Sequence, residues 1–540
     1  MGVVCLAPKQ TDARMPTPTV LPAASEAEIA AFLSNPATYP EAPQCVDVIE
    51  THCARVFLAG DEVYKVKKHI RLPFLDFSTL EQRHRATSRE VEINQPHAPA
   101  IYIGLVPITR EAGGVLRLGG QGQAVEWAVH MHRFKQEELL ANQADNGPLP
   151  DALCKAIAEV AARFHRTAAI VTDIDGAQDI GTVARQLTEL LEAAQELSDG
   201  DTVPVFVDRV QNILDRISPL LRARSKAGFL RRCHGDLHLG NIVLIEGAPL
   251  PFDALEFNEE FATIDVLYDL AFLLMDLDNR GDRHAANIVL NAYCSIAPVG
   301  GELEGLACLP LFLACRAGVR AIVGLERMEQ LRGSARQAEK ERVRNFSQLA
   351  TNYLSPPPPV LIAVGGLSGT GKSTIVAGFA HRVGAAPGAL HMRSDVERKR
   401  LFGVAEIERL HPEHYQPDVT DQVYTVLLDK ARLTLAAGHG AVIDAVFAKP
   451  EERAAVEALA LELGIQFAGL WLEAPSETMM QRVGARRGDA SDADRAVVVR
   501  QLGYNTGEIH WHRVNTSGAL AGSLSITEAA LRAAGIRLAE

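Results

Sequence analysis

The chain has 540 residues, more than one hydrophobic core supports, so two or three domains are expected. It is 47% hydrophobic and 22% charged, and 54 Lys+Arg against 67 Asp+Glu give a formal net charge of −13. That balance speaks against a dedicated nucleic-acid or anionic-membrane binder. The cysteines at 5, 45, 53, 154, 233, 294, 308 and 315 form no C-x-x-C pair, and read as reduced packing thiols of a cytoplasmic protein rather than a disulfide framework or zinc site.

Residues 1–40 are expected to be a poorly ordered tail, because the opening stretch is rich in Pro, Thr and Ala. Its short apolar run has no basic residues before it, which makes a poor signal peptide, and Leu6 stands where a myristoylation signal needs Ser or Thr. No uninterrupted apolar stretch approaches the roughly 20 residues that span a bilayer, so no membrane partner is expected.

A first domain is expected over 41–350. Residues 45–133 read as strands, interrupted by one helical stretch near 79–95, and 150–350 read as helices by apolar periodicity. In "EVYKVKK", period-two alternation puts Lys65 and Lys67 on one strand face and Lys68 on the other. Further on, "RRCHGDLHLGNIVLIEGAPLPFDALEF" places Asp236 and Asn241 in a loop, beside Gly235 and Gly240. Two short strands joined near Glu246–Gly247 then form a hairpin, which returns Asp253 close to Asn241. Asp236 can orient and deprotonate an attacking hydroxyl, while Asn241 and Asp253 can ligate Mg²⁺ on ATP phosphates. His234 and His238 read as structural.

"HGDLHLGN" with "FDALEF" resembles the catalytic loop and metal segment of the aminoglycoside phosphotransferase family, a branch of the protein-kinase-like fold, over about 45–345. The resemblance implies an α+β bilobal domain, with Asp236 as catalytic Asp and Asn241 and Asp253 as metal ligands. It also implies an ATP-phosphate lysine, Lys65 or its neighbour Lys67, held by Glu90. A solvated lysine cluster on an edge strand is the other reading of that stretch. Asp265 and Asp269 match a downstream Asp-bearing helix of the family and read as structural. The family's common Ile-Asp-Trp/Phe-Glu/Asp pattern is here Phe252-Asp253-Ala254-Leu255-Glu256, so Glu256 is an added polar group at the site or an ion-pair partner.

Four prolines in "LSPPPPV" make a stiff spacer, giving a linker over 351–359 and a further domain over 360–540. An apolar strand, then Gly366-x-x-x-x-Gly371-Lys372-Ser373, then a helical pattern is the Walker A context. Backbone N–H groups from Gly366 through Ser368, Gly369, Thr370, Gly371 and Thr374 would wrap phosphates, Lys372 would reach the β/γ oxygens, and Ser373 would ligate Mg²⁺. Asp444 ends an apolar strand, where it would hold Mg²⁺ through water or cap a helix. Arg482, Arg486 and Arg487 precede an acidic run, as a cationic lid over a transferring phosphoryl group would, or as a solvated helix. This half resembles the gluconate and shikimate kinase-like group over about 358–535, an α/β P-loop fold with a parallel sheet. That resemblance implies that Asp395 faces the acceptor hydroxyl and that Arg398 binds substrate.

The whole resembles a bacterial fusion of a predicted phosphotransferase with a predicted kinase. The function it implies is a bifunctional ATP- and Mg²⁺-dependent phosphotransferase acting on hydroxyls of small metabolites. A single active P-loop kinase with a regulatory kinase-like domain, and a non-catalytic nucleotide-sensing switch, are the alternatives. Acceptor identities and oligomeric state are not written in the sequence.

Overall fold

The computed structural model describes residues 24–72, 75–193, 202–297, 299–486 and 488–539. They form two compact units, one up to Phe134 and one from Lys135 onward.

The first unit is a six-stranded antiparallel sheet, in the order Val46–Glu50, Ala54–Ala59, Glu62–Lys67, Gln123–His132, Tyr102–Arg110 and Leu116–Leu118. Phe57, Tyr64, Val66, Ile108 and Ala128 form its core. The helix Leu80–Asn94 starts at a capping box in which Thr79 and Gln82 satisfy each other's backbone N–H groups. Residues 24–40 differ from the expected tail. Ser25 caps a helix, Glu26–Leu33, whose Ile29 and Leu33 lie one turn apart and enter the core. Tyr39 closes the segment by donating its hydroxyl to the Leu33 carbonyl at 2.5 Å.

The second unit combines a helical assembly with a five-stranded parallel sheet. The helix Val266–Asn279 is buried from Val266 through Met275 and carries its further carboxylates, Asp276 and Asp278, near its C-terminal end. It packs against Arg283–Ile296 and Leu309–Gln330, and the latter runs alongside Gly333–Tyr353. The segment Glu302–Glu329 is, by length and composition, apolar enough to cross a membrane, although charged residues interrupt it. In this fold 72% of its apolar window is buried inside the protein, and charged Arg316 lies within it.

The helix Gly333–Tyr353 runs into the span expected to be linker, and the central strand starts at Val360. The sheet order is Leu390–Arg393, Ala441–Asp444, Val360–Gly365, Gln466–Glu473 and His512–Asn515. Every residue of Val360–Gly365 is buried, as in a parallel strand covered on both faces. One apolar cluster joins Leu290 and Tyr293 of the helical assembly to Leu390 and Met392 of the sheet's edge strand.

Candidate active sites

In the first unit, strand alternation brings Lys65 and Lys67 to one side, where both meet Glu90 of the Leu80–Asn94 helix. The Lys65 ammonium is 2.9 Å from one Glu90 oxygen and that of Lys67 is 2.5 Å from the other. Glu90 is fully buried. Burial opposes its ionisation, but the two ammonium groups together hold its carboxyl below the usual range. The lysines are thus paired rather than a solvated cluster. Lys67 is the deeper, 3% exposed against 12% for Lys65, and its ammonium also lies 5.5 Å from the Phe77 ring centroid.

In the second unit, the loop carrying Asp236 is fixed from several sides. Gly235 adopts φ 82°, the left-handed region open to glycine. The Asp269 carboxylate accepts the backbone N–H groups of His234 at 3.1 Å and Gly235 at 2.9 Å, and a ring nitrogen of His165 lies 3.0 Å away. Arg316 donates to the Gly235 carbonyl and stacks on Tyr268. Asp265 pairs with Arg224 through two bonds of 2.7 and 2.8 Å and caps its helix at Leu267. Both aspartates therefore have structural partners.

The strands Ile242–Ile245 and Ala248–Pro251 pair in register, with Ile242 opposite Pro251. The next bond outward runs from the Phe252 N–H to the Asn241 carbonyl at 3.0 Å, so the hairpin delivers Asp253 beside Asn241. The Asp253 backbone takes φ 60°, costly for a non-glycine residue. The Asn241 amide donates to the Asp236 carboxylate at 2.8 Å. Partial enclosure raises the Asp236 carboxyl pKa, and His238, His234 and Arg316 more than reverse this, holding it well below the ordinary range. His234 meets the Phe252 carbonyl through Nε2, and His238 accepts the Gly240 N–H.

The loop Gly366–Gly371 lies between the strand Val360–Gly365 and the helix Lys372–Phe379, whose first turn carries Lys372, Ser373 and Thr374. Gly369, at φ 88°, packs so closely that a Cβ there would lie 2.6 Å from the Met479 carbonyl oxygen. Lys372 donates to the Gly366 carbonyl at 2.8 Å. Burial lowers its pKa, against the pull of Asp444 and Asp395. The Ser373 hydroxyl donates to Asp444 at 2.6 Å. Asp444 ends its strand in parallel register with Val364. Burial opposes its charge, yet His391, Lys372 and Arg393 hold the carboxyl well below the ordinary range. An ionised carboxylate bonded to a hydroxyl at the mouth of a glycine loop is a donor set that suits Mg²⁺.

A cleft of about 1450 Å³ opens over this loop. Asp395, Arg398, Asp444, Arg482 and Arg486 line it together with the loop. Burial raises the Asp395 carboxyl pKa, and Arg398 donates to the His414 carbonyl and the Thr420 hydroxyl. Arg482 is not on a detached lid. It donates to the Thr516 carbonyl at 2.6 Å, and Thr516 donates to Thr370 of the loop. The acidic run is latched, with Asp489 on Arg393 at 2.7 Å and Asp492 on Lys399 at 3.1 Å. Arg487 lies outside the described residues. Sequence reasoning missed Arg393, His391 and Gln501, whose side-chain oxygen accepts the Ser368 N–H at 2.7 Å.

Residues 112–307 match a family model described as a phosphotransferase enzyme family, and 361–506 match one described as an AAA domain. The uncharacterized protein Rv2004c of Mycobacterium tuberculosis is 33% identical over 491 residues, covering 88% of this chain and 93% of its own. The uncharacterized protein Mb2027c of Mycobacterium bovis has the same identity and coverage. Among solved structures, a gluconokinase from Sinorhizobium meliloti 1021 is similar at 22% identity and TM-score 0.24, over 33% of this chain and 94% of that one. A choline/ethanolamine kinase family protein from Mesorhizobium loti is similar at 12% identity and TM-score 0.35, over 60% and 98%. By the mycobacterial identity and coverage, the chain belongs to the family of those proteins, and it joins a kinase-like phosphotransferase-family domain to a P-loop domain of the AAA type.

Proposed function

We propose that the chain is a bifunctional cytoplasmic phosphotransferase, moving the γ-phosphoryl group of ATP to hydroxyls of small metabolites at two separate sites. The observation that carries the reading is shared by both sites. Each combines oxygen donors suited to Mg²⁺ with a further carboxylate, Asp236 or Asp395, that simple ATP hydrolysis would not need. Mg²⁺, when bound, would neutralise charge on the phosphate oxygens.

In the P-loop domain Ser373 and Asp444 would hold the metal, the Gly366–Thr374 backbone and Lys372 the phosphates, and Arg398 the acceptor. The acceptor hydroxyl would attack the γ-phosphorus as the bond to the ADP oxygen breaks, with the proton passing to Asp395. Its raised pKa suits a proton acceptor. Arg486, with Arg487, would steady the transferring group. In the kinase-like domain Asp236 would take the corresponding proton, Asn241 and Asp253 would hold the metal, and Lys65, set by Glu90, would contact the phosphates.

The test is an ATP-consumption screen of Asp236→Ala and Lys372→Ala across sugars, amino sugars, polyols and amino alcohols. Losses of about tenfold or more on separate acceptors are expected. If Asp236→Ala changes no acceptor-dependent turnover, the bifunctional reading fails and one active P-loop kinase remains.

A further inference from the structure

The strand Leu390–Arg393 is an edge of the parallel sheet, paired among the described residues with Ala441–Asp444 on one side only. Its other side is met by the helix Arg283–Ile296, which belongs to the kinase-like half. Asn291 accepts the His391 N–H at 2.7 Å and donates to the Ala389 carbonyl at 3.3 Å, so one side-chain amide satisfies a donor and an acceptor as a neighbouring strand would. Asn287 donates to the same carbonyl at 3.1 Å. His391 in turn sets its Nε2 3.2 Å from the Asp444 carboxylate oxygen that receives the Ser373 hydroxyl. Three groups, from a helix of one half, an edge strand and a strand end of the other, are thus connected in series.

We propose that Asn291 and His391 are positioning residues of the P-loop site, so that a helix of the kinase-like half sets the metal-holding carboxylate of the P-loop half. The inference rests on the reading of Ser373 and Asp444 as the metal-holding pair. A residue bonded behind a metal ligand fixes the ligand's orientation, and its loss typically lowers metal affinity or activity about 10–100-fold. His391 is only 13% exposed, so water does not readily replace its bond. Asn291 is the group through which the other half reaches it.

The test is equilibrium binding of a fluorescent non-hydrolysable ATP analogue to the full-length protein, with Mg²⁺ and with EDTA. The P-loop component is the part of the signal lost in Lys372→Ala. His391→Leu and Asn291→Ala are expected to lower the Mg²⁺-dependent tightening of that component about tenfold, with affinity in EDTA unchanged. His391→Gln, whose amide can still donate to Asp444, is expected to keep most of it. The proposal is overturned if His391→Leu retains the full Mg²⁺-dependent tightening. It is equally overturned if affinity falls by the same factor in Mg²⁺ and in EDTA, because packing alone then explains the contact. Should His391→Leu not fold, full tightening lost in His391→Gln overturns it, and tightening kept in His391→Gln but lost in Asn291→Ala upholds it. If Lys372→Ala removes no binding at all, the P-loop reading itself has failed, a result distinct from each of these.

Discussion

Glu90 binds two lysines, and the geometry separates their jobs. The carboxylate is fully buried, with Lys67 at 2.5 Å and 3% exposed, and Lys65 at 2.9 Å and 12% exposed. Replacing Glu90 by Gln leaves the Lys67 ammonium buried against a neutral amide, and removing one partner of a buried pair costs about 3–5 kcal/mol. Lys67→Met leaves Glu90 still paired with Lys65, so the Glu90 side of its loss is that of one charged hydrogen bond, about 1.5–3 kcal/mol. Lys65→Met removes the longer and more exposed bond and should destabilise least.

Activity should follow a different order. Lys65, the outer lysine, should cost the most turnover relative to its stability change, with a loss of about tenfold or more on the Asp236-dependent acceptor. Amide hydrogen exchange over Glu62–Lys67 and Leu80–Asn94 would localise the stability change. Because the Glu90 carboxyl is lowered from 4.5, its ionic contribution is full above pH 4.5 and is lost as pH falls towards its folded value. The reasoning is refuted if Glu90→Gln is no less stable than Lys67→Met, or if Lys67→Met destroys turnover while Lys65→Met spares it.

Three further outcomes are expected. Asp269→Ala strands the His234 and Gly235 N–H groups and the His165 ring, all buried, and should lower stability by about 3–9 kcal/mol at roughly 1–3 per unmet group; a urea midpoint within error of the parent's would contradict this. Gly369→Ala forces a Cβ to within 2.6 Å of the Met479 carbonyl oxygen at φ 88°, so analogue binding lost in Lys372→Ala should also fall, measured by the same titration. His439 is fully buried and its pKa is pushed down from 6.5 to about 4 by burial. The unfolded chain therefore binds the extra proton first, and stability should drop by about 3 kcal/mol as pH falls from 6.5 to 4. A His439→Leu variant with an unchanged pH profile of urea midpoints would show that the ring is not responsible.

What the sequence made legible had local signals. The glycine loop sits between an apolar strand and a helix, so its context was written in about 20 contiguous residues. The placement of Asp253 beside Asn241 followed from a hairpin whose turn residues are adjacent in the chain. Lys65 and Lys67 shared a face because strand alternation is a period of two, although periodicity could not show that one carboxylate would take both. Other parts had no such signal. Asp269, which the family resemblance marked as structural, holds the Asp236 loop from 33 residues downstream, a contact that no local spacing shows. His391, Asn291 and Gln501 each act as single side chains across long sequence separations, with no spacing to mark them. The folded segment at Glu26–Leu33 was hidden by the composition that precedes it, since only Ile29 and Leu33 of its eight residues are fully buried.

The covered edge of the parallel sheet also constrains how the chain can be cut. A fragment beginning at the proline run would carry the strand Leu390–Arg393 without its helical neighbour. The Ala389 carbonyl and His391 N–H would then lose their side-chain partners, and Leu390 and Met392 would lose part of their apolar cover. An open strand edge flanked by newly bared apolar surface is a template for pairing with another copy. The P-loop half should therefore tend to self-associate when expressed alone, and the proline run is a covalent junction between the halves but not the place where their folding separates.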